Sequence, residues 1–285
     1  MRPFDYYRPE TFEEAFRLLT LPDKKVMPLA GATDLIPMVR DEHWQPDVVV
    51  DVKGLPGMCD VVETPEGLFV GAAVRMVELM HHPLVNSPRW NLLAQAAAAM
   101  GNEQVRNRAT LGGNLCTASP AADSAPALLT LEANAVIRGA AGERRVPITE
   151  FFLGPRKTAL QKGELLIGVL IPAPPAGAVG TYVKLSRRKA GDLAIVGVAA
   201  LAYPHNGGQT WRLALGAVAP TPIRASEAEA ALNAGHDEAM IEHATKCAFD
   251  ACCPIDDIRA SAEYRKAMVS RIARRAIEGV VAKLA

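Results

Sequence analysis

The chain has 285 residues, with 31 Lys and Arg balanced by 31 Asp and Glu, and 49% of its residues are hydrophobic. At roughly 150 residues per domain, this length holds about two domains and buries a substantial core without metal or disulfide staples. The 22% charged content and zero net charge argue against disorder and exclude bulk nucleic-acid binding as a first reading.

The five cysteines, Cys59, Cys116, Cys247, Cys252 and Cys253, include no C-x-x-C pair. Their odd number and spacing speak against a disulfide framework, a zinc ribbon or an iron–sulfur cluster held by this chain, so no metal ligand set is expected. Met1 to Asp5 carries an acid and no apolar stretch, which predicts no signal peptide. The longest uncharged apolar run, Leu193 to Tyr203, falls short of the ~20 residues that span a bilayer, so a soluble cytoplasmic protein is expected.

In chain order, Thr11-Phe12-Glu13-Glu14 is a capping box opening a helix over 12–19. Strands are predicted at 26–30 and 48–52, and at 61–63 and 68–70 around a Pro-Gly turn. Ser87-Pro88 reads as a helix N-cap with Pro at the first helical position, the helix running to Gly101. Residues 135–138 and 165–171 read as strands, and Pro172 to Gly177 as a linker. Beyond it, strands are predicted at 182–186, 195–203 and 211–218, with a hairpin turn at His205-Asn206-Gly207-Gly208. Helices follow at about 226–233, 237–251 and 261–284. This order predicts an α+β fold of two domains, residues 1–174 and 175–285, the second and smaller one with a three-stranded sheet and helices. The last helix is basic, with Arg259, Arg265, Lys266, Arg271, Arg274, Arg275 and Lys283, and reads as a solvated face or a partner-docking surface.

The nucleotide-binding fingerprints G-x-G-x-x-G and G-x-x-x-x-G-K-[ST] are absent, and so are the G-x-S-x-G and H-E-x-x-H motifs. Two glycine-bearing stretches remain. Pro28-Leu29-Ala30-Gly31-Ala32-Thr33-Asp34-Leu35 is a strand end entering a polar turn. It is either a close-approach loop for a ligand or a plain turn in which Thr33 or Asp34 caps a helix. Thr110-Leu111-Gly112-Gly113-Asn114 is either a nest of amides for a diphosphate or a Gly-Gly turn. Asp123, downstream, cannot favour a phosphate but can accept from sugar hydroxyls.

Together these stretches resemble the FAD-binding medium subunit of the molybdenum hydroxylase family, of the carbon monoxide dehydrogenase and xanthine dehydrogenase type. The resemblance spans the chain: Phe4-Asp5-Tyr6 with Arg8-Pro9, Ala30 to Leu35, Arg106-Asn107 with Thr110 to Asn114, Ala118-Ser119-Pro120 with Asp123, Glu164-Leu165-Leu166, Tyr182 to Arg188 with Asp192, and Ile258 to Arg265. It departs in reading Gly31-Ala32 where many relatives have Gly-Gly, and in lacking a cysteine-bearing insert.

The resemblance implies a PCMH-type FAD-binding region followed by the family's C-terminal domain. Pro28, Leu29, Ala30, Gly31, Ala32, Thr33, Asp34 and Leu35, with Thr110, Leu111, Gly112, Gly113 and Asn114, would wrap the FAD diphosphate and its flanking sugars. Asp123 would bond the polyol or nearby backbone, Leu166 would pack on a ring face, and Lys184 would lie near the isoalloxazine. Met100 would stand where some members place an aromatic ring, and Asp192 with Leu193 near the reactive flavin edge. No residue is expected to act as a catalytic acid or base. The implied function is an oxidoreductase subunit relaying electrons from the [2Fe–2S] clusters of a small partner to NAD+, a quinone or oxygen. A large partner would hold the molybdenum cofactor, in a dimer of heterotrimers. The alternatives are a self-contained FAD-dependent oxidase of related fold and a cofactor-free scaffold subunit.

Overall fold

The structure is a computed structural model that describes residues 2–284. The chain opens with β1 (Asp5–Tyr7), α1 (Phe12–Leu19), β2 (Val26–Leu29), α2 (Leu35–Arg40) and β3 (Val48–Asp51). These strands form a parallel three-stranded sheet in the order β1-β3-β2. Thr11 caps α1 as its sequence predicts, with Oγ1 accepting from the Glu14 amide at 3.2 Å. α2 contains Pro37, which is tolerated because it lies in the first turn, where no intrahelical N–H is required.

β4 (Val61–Thr64), β5 (Gly67–Gly71), β6 (Asn134–Gly139), β7 (Gly142–Pro147) and β10 (Leu165–Ile171) form an antiparallel sheet in the order β4-β5-β10-β6-β7. β10 is central and every residue of it is buried, which accounts for its uninterrupted apolar run. Between β5 and β6 run α3 (Met76–His81), α4 (Asn91–Ala99), α5 (Glu103–Arg106), α6 (Leu111–Cys116) and α7 (Ser124–Thr130). Between β7 and β10 come α8 (Ile148–Phe151) and the small hairpin β8 (Phe152–Gly154) with β9 (Lys157–Thr158). The expected helix start at Ser87-Pro88 is corrected: α4 begins at Asn91, and the Ser87 hydroxyl donates to the Leu84 carbonyl in the preceding turn.

After the Pro-rich segment, β11 (Val179–Leu185), β12 (Val196–His205), β13 (Gly208–Gly216) and β14 (Ile223–Arg224) form an antiparallel sheet. The three expected strands thus gain a two-residue fourth. β12 and β13 join through Asn206 and Gly207 at φ 49 and 79, both left-handed, as a two-residue hairpin turn requires. α9 (Ser226–Ala234), α10 (Glu238–Asp250) and α11 (Ala262–Leu284) complete the chain.

β12 is apolar from Val196 to Ala202 because both faces are covered there. Val196, Val198, Ala200 and Ala202 pack with the residues of α9, α10 and α11. Ala199 and Leu201, on the opposite face, join the core of the N-terminal region, where α4 and α7 lie against the sheet. The basic face expected of α11 is corrected at Arg265, which is 2% exposed. Its guanidinium donates to the carbonyls of Ile195 and Ala217 and to Asp257 Oδ1.

Candidate flavin site

A cleft of about 1000 Å³, mouth included, opens between the β2–α2 turn, the start of α6 and the start of β10. Its walls include Pro28, Ala30, Gly31, Ala32, Thr33, Asp34, Leu35, Met100, Thr110, Gly112, Gly113, Asn114 and Leu166, all singled out in the sequence. Leu29, Leu111, Asp123, Lys184 and Asp192 do not line it.

The two glycine stretches contribute differently. The amides of Gly31, Ala32, Thr33 and Asp34 make no hydrogen bond to another described residue, leaving a run of donors at the cleft. Gly31 is required by close approach, since a Cβ there would stand 2.2 Å from the Arg108 carbonyl oxygen. Ala32 adopts φ 66, a left-handed conformation costing an L-residue with a side chain about 1–2 kcal/mol. The expectation that Thr33 or Asp34 caps α2 is corrected: Asp34 sits at the cap position without a capping bond, and its Oδ2 accepts from Thr117 Oγ1 at 3.2 Å.

The second stretch is a helix start, and the nest expected there is corrected. The Thr110 hydroxyl accepts from the Gly113 amide at 3.1 Å. The amides of Leu111, Gly112 and Asn114 go to the carbonyls of Val74, Ala72 and Thr110. No free amide is left between 111 and 114. Gly112 is a packing glycine, its position of a Cβ lying 2.5 Å from Ala72 Cβ. Gly113 faces the opening, and a Cβ there would meet only Thr110 Oγ1. Asn114 Oδ1 accepts from Ser124 Oγ at 2.6 Å, which leaves its NH₂ group as the uncommitted donor.

Three titratable groups line the cleft besides these donors. Asp34 accepts from Thr117. Glu164 is held by Arg144 in a two-pronged ion pair at 2.7 and 2.8 Å, and this keeps its carboxyl below the ordinary value. Cys116 opens into the cleft, yet the protein packed around it pushes its thiol up to about 12. Among the described residues, no Lys, Arg or His is on the lining.

Lys184 and Asp123 meet behind the wall. Lys184 Nζ lies 2.8 Å from Asp123 Oδ2, with the two side chains 8% and 3% exposed. Tyr182 donates to Asp123 Oδ1 at 2.8 Å, and Lys184 also donates to the Ala99 carbonyl at 3.0 Å, next to Met100. Burial pushes the Asp123 carboxyl up, against the pull of Lys184 and Tyr182. Asp192 is on the exposed 186–193 loop, paired with Arg188 at 3.1 Å, and the loop touches the cleft region through the Gly191 amide bonded to the Gly101 carbonyl.

FAD is two flat ring systems joined by a diphosphate. A cleft with apolar walls, a run of free amides and a glycine at its mouth fits it. Residues 2–174 match the model of the FAD binding domain in molybdopterin dehydrogenase, and residues 181–280 that of the CO dehydrogenase flavoprotein C-terminal domain. The chain is an FAD-binding medium subunit of the molybdenum hydroxylase family.

Relatives of this flavoprotein subunit match along its length. The carbon monoxide dehydrogenase medium chain of Hydrogenophaga pseudoflava is 32% identical over 286 residues, covering 99% of this chain and 98% of the relative. The putative xanthine dehydrogenase FAD-binding subunit of Escherichia coli K12 is 32% identical, covering 97% and 96%. Among solved structures, carbon monoxide dehydrogenase from H. pseudoflava superposes with a TM-score of 0.95 at 34% identity, covering 100% of both chains. Quinoline 2-oxidoreductase from Pseudomonas putida 86 gives 0.92 at 30%, covering 99% and 98%.

In the flavoprotein subunit, the sequence reading missed Met27, Trp44, Cys116, Thr117, Leu160 and Leu165 on the cleft lining. Thr117 and Cys116 were within reach of a pattern: at helical spacing after Gly113 they share its face. Trp44, in the loop after α2, carried no local signal.

Proposed function

We propose that this subunit is an electron relay in a molybdenum hydroxylase complex. A large partner with the molybdenum cofactor oxidises the substrate, and a small partner carries [2Fe–2S] clusters. This subunit takes electrons from those clusters and hands them to NAD+, a quinone or oxygen, within a dimer of heterotrimers. The observation that supports the reading is the match of both parts of the chain to the flavoprotein models of this family, together with the run of free amides at residues 31–34 on the cleft. Bound FAD supplies one- and two-electron chemistry, and the chain supplies position and electrostatics.

In this reading the amides of residues 31–34, with Thr33 and Asn114, hold the diphosphate, and Gly113 makes room for it. Met100 and Leu166 pack on ring faces. Lys184 and Asp123 hold the end of α4 that presents Met100. Asp192 stands on the loop where the acceptor approaches. The free amides and the open face of Gly113 speak against a cofactor-free scaffold.

The test is anaerobic. The FAD-loaded chain alone should stay oxidised with purines, aldehydes, N-heterocycles and carbon monoxide, whereas the flavin of the co-expressed complex should bleach with its substrate. After dithionite reduction, the rates with NAD+, quinone and oxygen rank the acceptors. Bleaching of the isolated chain by an organic substrate would establish the oxidase alternative instead.

A further inference from the structure

The cleft has an aromatic wall that the electron-relay reading leaves unused. Trp44 lines it, half-buried, and packs with Met27 and Leu35 in a small cluster separate from the main core to which Met100 and Leu166 belong. Its backbone amide is pinned to the Met38 carbonyl at the end of α2. Arg156, which is not on the lining, stands over the indole with its guanidinium carbon 5.8 Å from the ring centroid. The Arg156 backbone adopts φ 60, and its amide is bonded to the Ala118 carbonyl at 3.0 Å, fixing the hairpin tip in that place. The indole is therefore held from two sides. The other tryptophans, Trp90 and Trp211, are 2% and 1% exposed and lie in the core.

Resting on the flavin reading, we propose that Trp44, backed by Arg156, is the platform on which the adenine of FAD stacks, and that it makes the site select FAD over FMN. The free amides of residues 31–34 line the same cleft as two separate apolar groups, Met100 and Leu166 from the main core and Met27, Leu35 and Trp44 from the small cluster. A dinucleotide brings a second ring for such an aromatic platform, whereas FMN has none to place there. Among the described residues, the lining offers no cation to offset the diphosphate charge. Affinity must then come substantially from ring contacts. Every nucleobase presents a π-face, and an aromatic platform with a cation behind it is suited to bind one.

The full-length chain, stripped of flavin, is titrated with FAD, FMN and ADP, the last carrying the adenine and diphosphate without the flavin. ADP should quench tryptophan emission in the wild type, because Trp44 is the half-exposed indole, and the quenching should vanish in Trp44→Phe. Trp44→Leu should weaken FAD and ADP about tenfold to a hundredfold, the range of one base–aromatic stack, and leave FMN within about threefold. Trp44→Phe should keep FAD within about threefold of wild type. Unchanged FAD affinity in Trp44→Leu overturns the proposal and leaves the flavin reading intact. Equal weakening of FAD and FMN, or ADP leaving the emission unchanged, also overturns it. Failure of the wild type to take up FAD at all would end the flavin reading and the proposal with it.

Discussion

Replacing Lys184 by Met tests whether β11 supports the flavin cleft from behind. The substitution keeps the apolar stem and removes the ammonium from a 2.8 Å pair in which both side chains are under 10% exposed. Asp123 is then left buried with Tyr182 as its side-chain partner, and the Ala99 carbonyl loses its donor. Removing one partner of a buried pair costs about 3–5 kcal/mol, against the 5–15 kcal/mol that hold a typical domain. The loss should depend on pH. Burial already pushes the Asp123 carboxyl up in the wild type, and without Lys184 it rises further. A raised carboxyl favours the fold below its unfolded value near pH 4, and that contribution fades as pH climbs toward the folded value, at up to about 1.4 kcal/mol per unit. Urea unfolding at pH 5 and pH 8 should show the larger deficit at pH 8. Adding Asp123→Asn should recover much of it, since a neutral partner for Tyr182 carries no buried charge. A deficit that is flat in pH, or a double variant no better than the single, would refute the reasoning.

Other outcomes follow from the cleft itself. Gly113→Asp should fold with a modest loss of stability, because its Cβ meets the capping Thr110 Oγ1 at 2.9 Å, and should lose FAD retention by more than a hundredfold, since a carboxylate beside a diphosphate repels it by about 3 kcal/mol or more at 5 Å and an effective dielectric near 20. Gly31→Ala should instead depress the thermal midpoint, because its methyl meets backbone at 2.2 Å; equal FAD loss with equal destabilisation in both variants would contradict this division. Ala32→Gly removes a left-handed penalty at φ 66 and should stabilise by about 0.5–1 kcal/mol, less the extra freedom of glycine in the unfolded chain, read as a small rise in thermal midpoint. Asp257 is opposed by burial but held well below the ordinary carboxylate range by Arg259, the Arg259 and Ala260 amides, and Arg265. Its contribution is present above the unfolded value and is lost only as pH falls through the depressed folded one. Asp257→Asn should therefore cost about 2–4 kcal/mol at neutral pH, and progressively less in strong acid, by circular dichroism.

What could be read from sequence followed the range of the signal. α1, β10 and the β12–β13 hairpin were legible because a capping box, an unbroken apolar run and Asn-Gly are local instructions. α2 was legible only as the helix that Thr33 or Asp34 would cap, its length obscured by Pro37, and α6 was hidden by its two glycines, poor helix formers by propensity, so that hydrogen bonding to Ala72 and Val74 decides it. The cleft was partly legible, since 13 of its 24 lining residues were singled out one by one in the sequence. The division of labour inside it was not. That residues 31–34 keep their amides free while residues 111–114 spend theirs depends on which backbone lies alongside, here the turn after β5, and no spacing reports that. Trp44 and Arg156, over a hundred positions apart, meet through the β8–β9 hairpin, and nothing in either neighbourhood announces the other.

The clasp of β11 on Asp123 bears on how such a chain can change over time. Every wall of the cleft lies within residues 27–166, so the first part of the chain looks like a self-sufficient module that could be joined to a different second part. Yet Lys184 and Tyr182, both from the second part, close on a carboxylate inside the first, and Gln95 there accepts from the Tyr182 amide at 3.1 Å. A foreign second part lacking lysine and tyrosine two positions apart in that strand would strand a charge in the interior. Recombination at the Pro-rich segment would thereby carry a stability penalty unless that pair of side chains came with the new part.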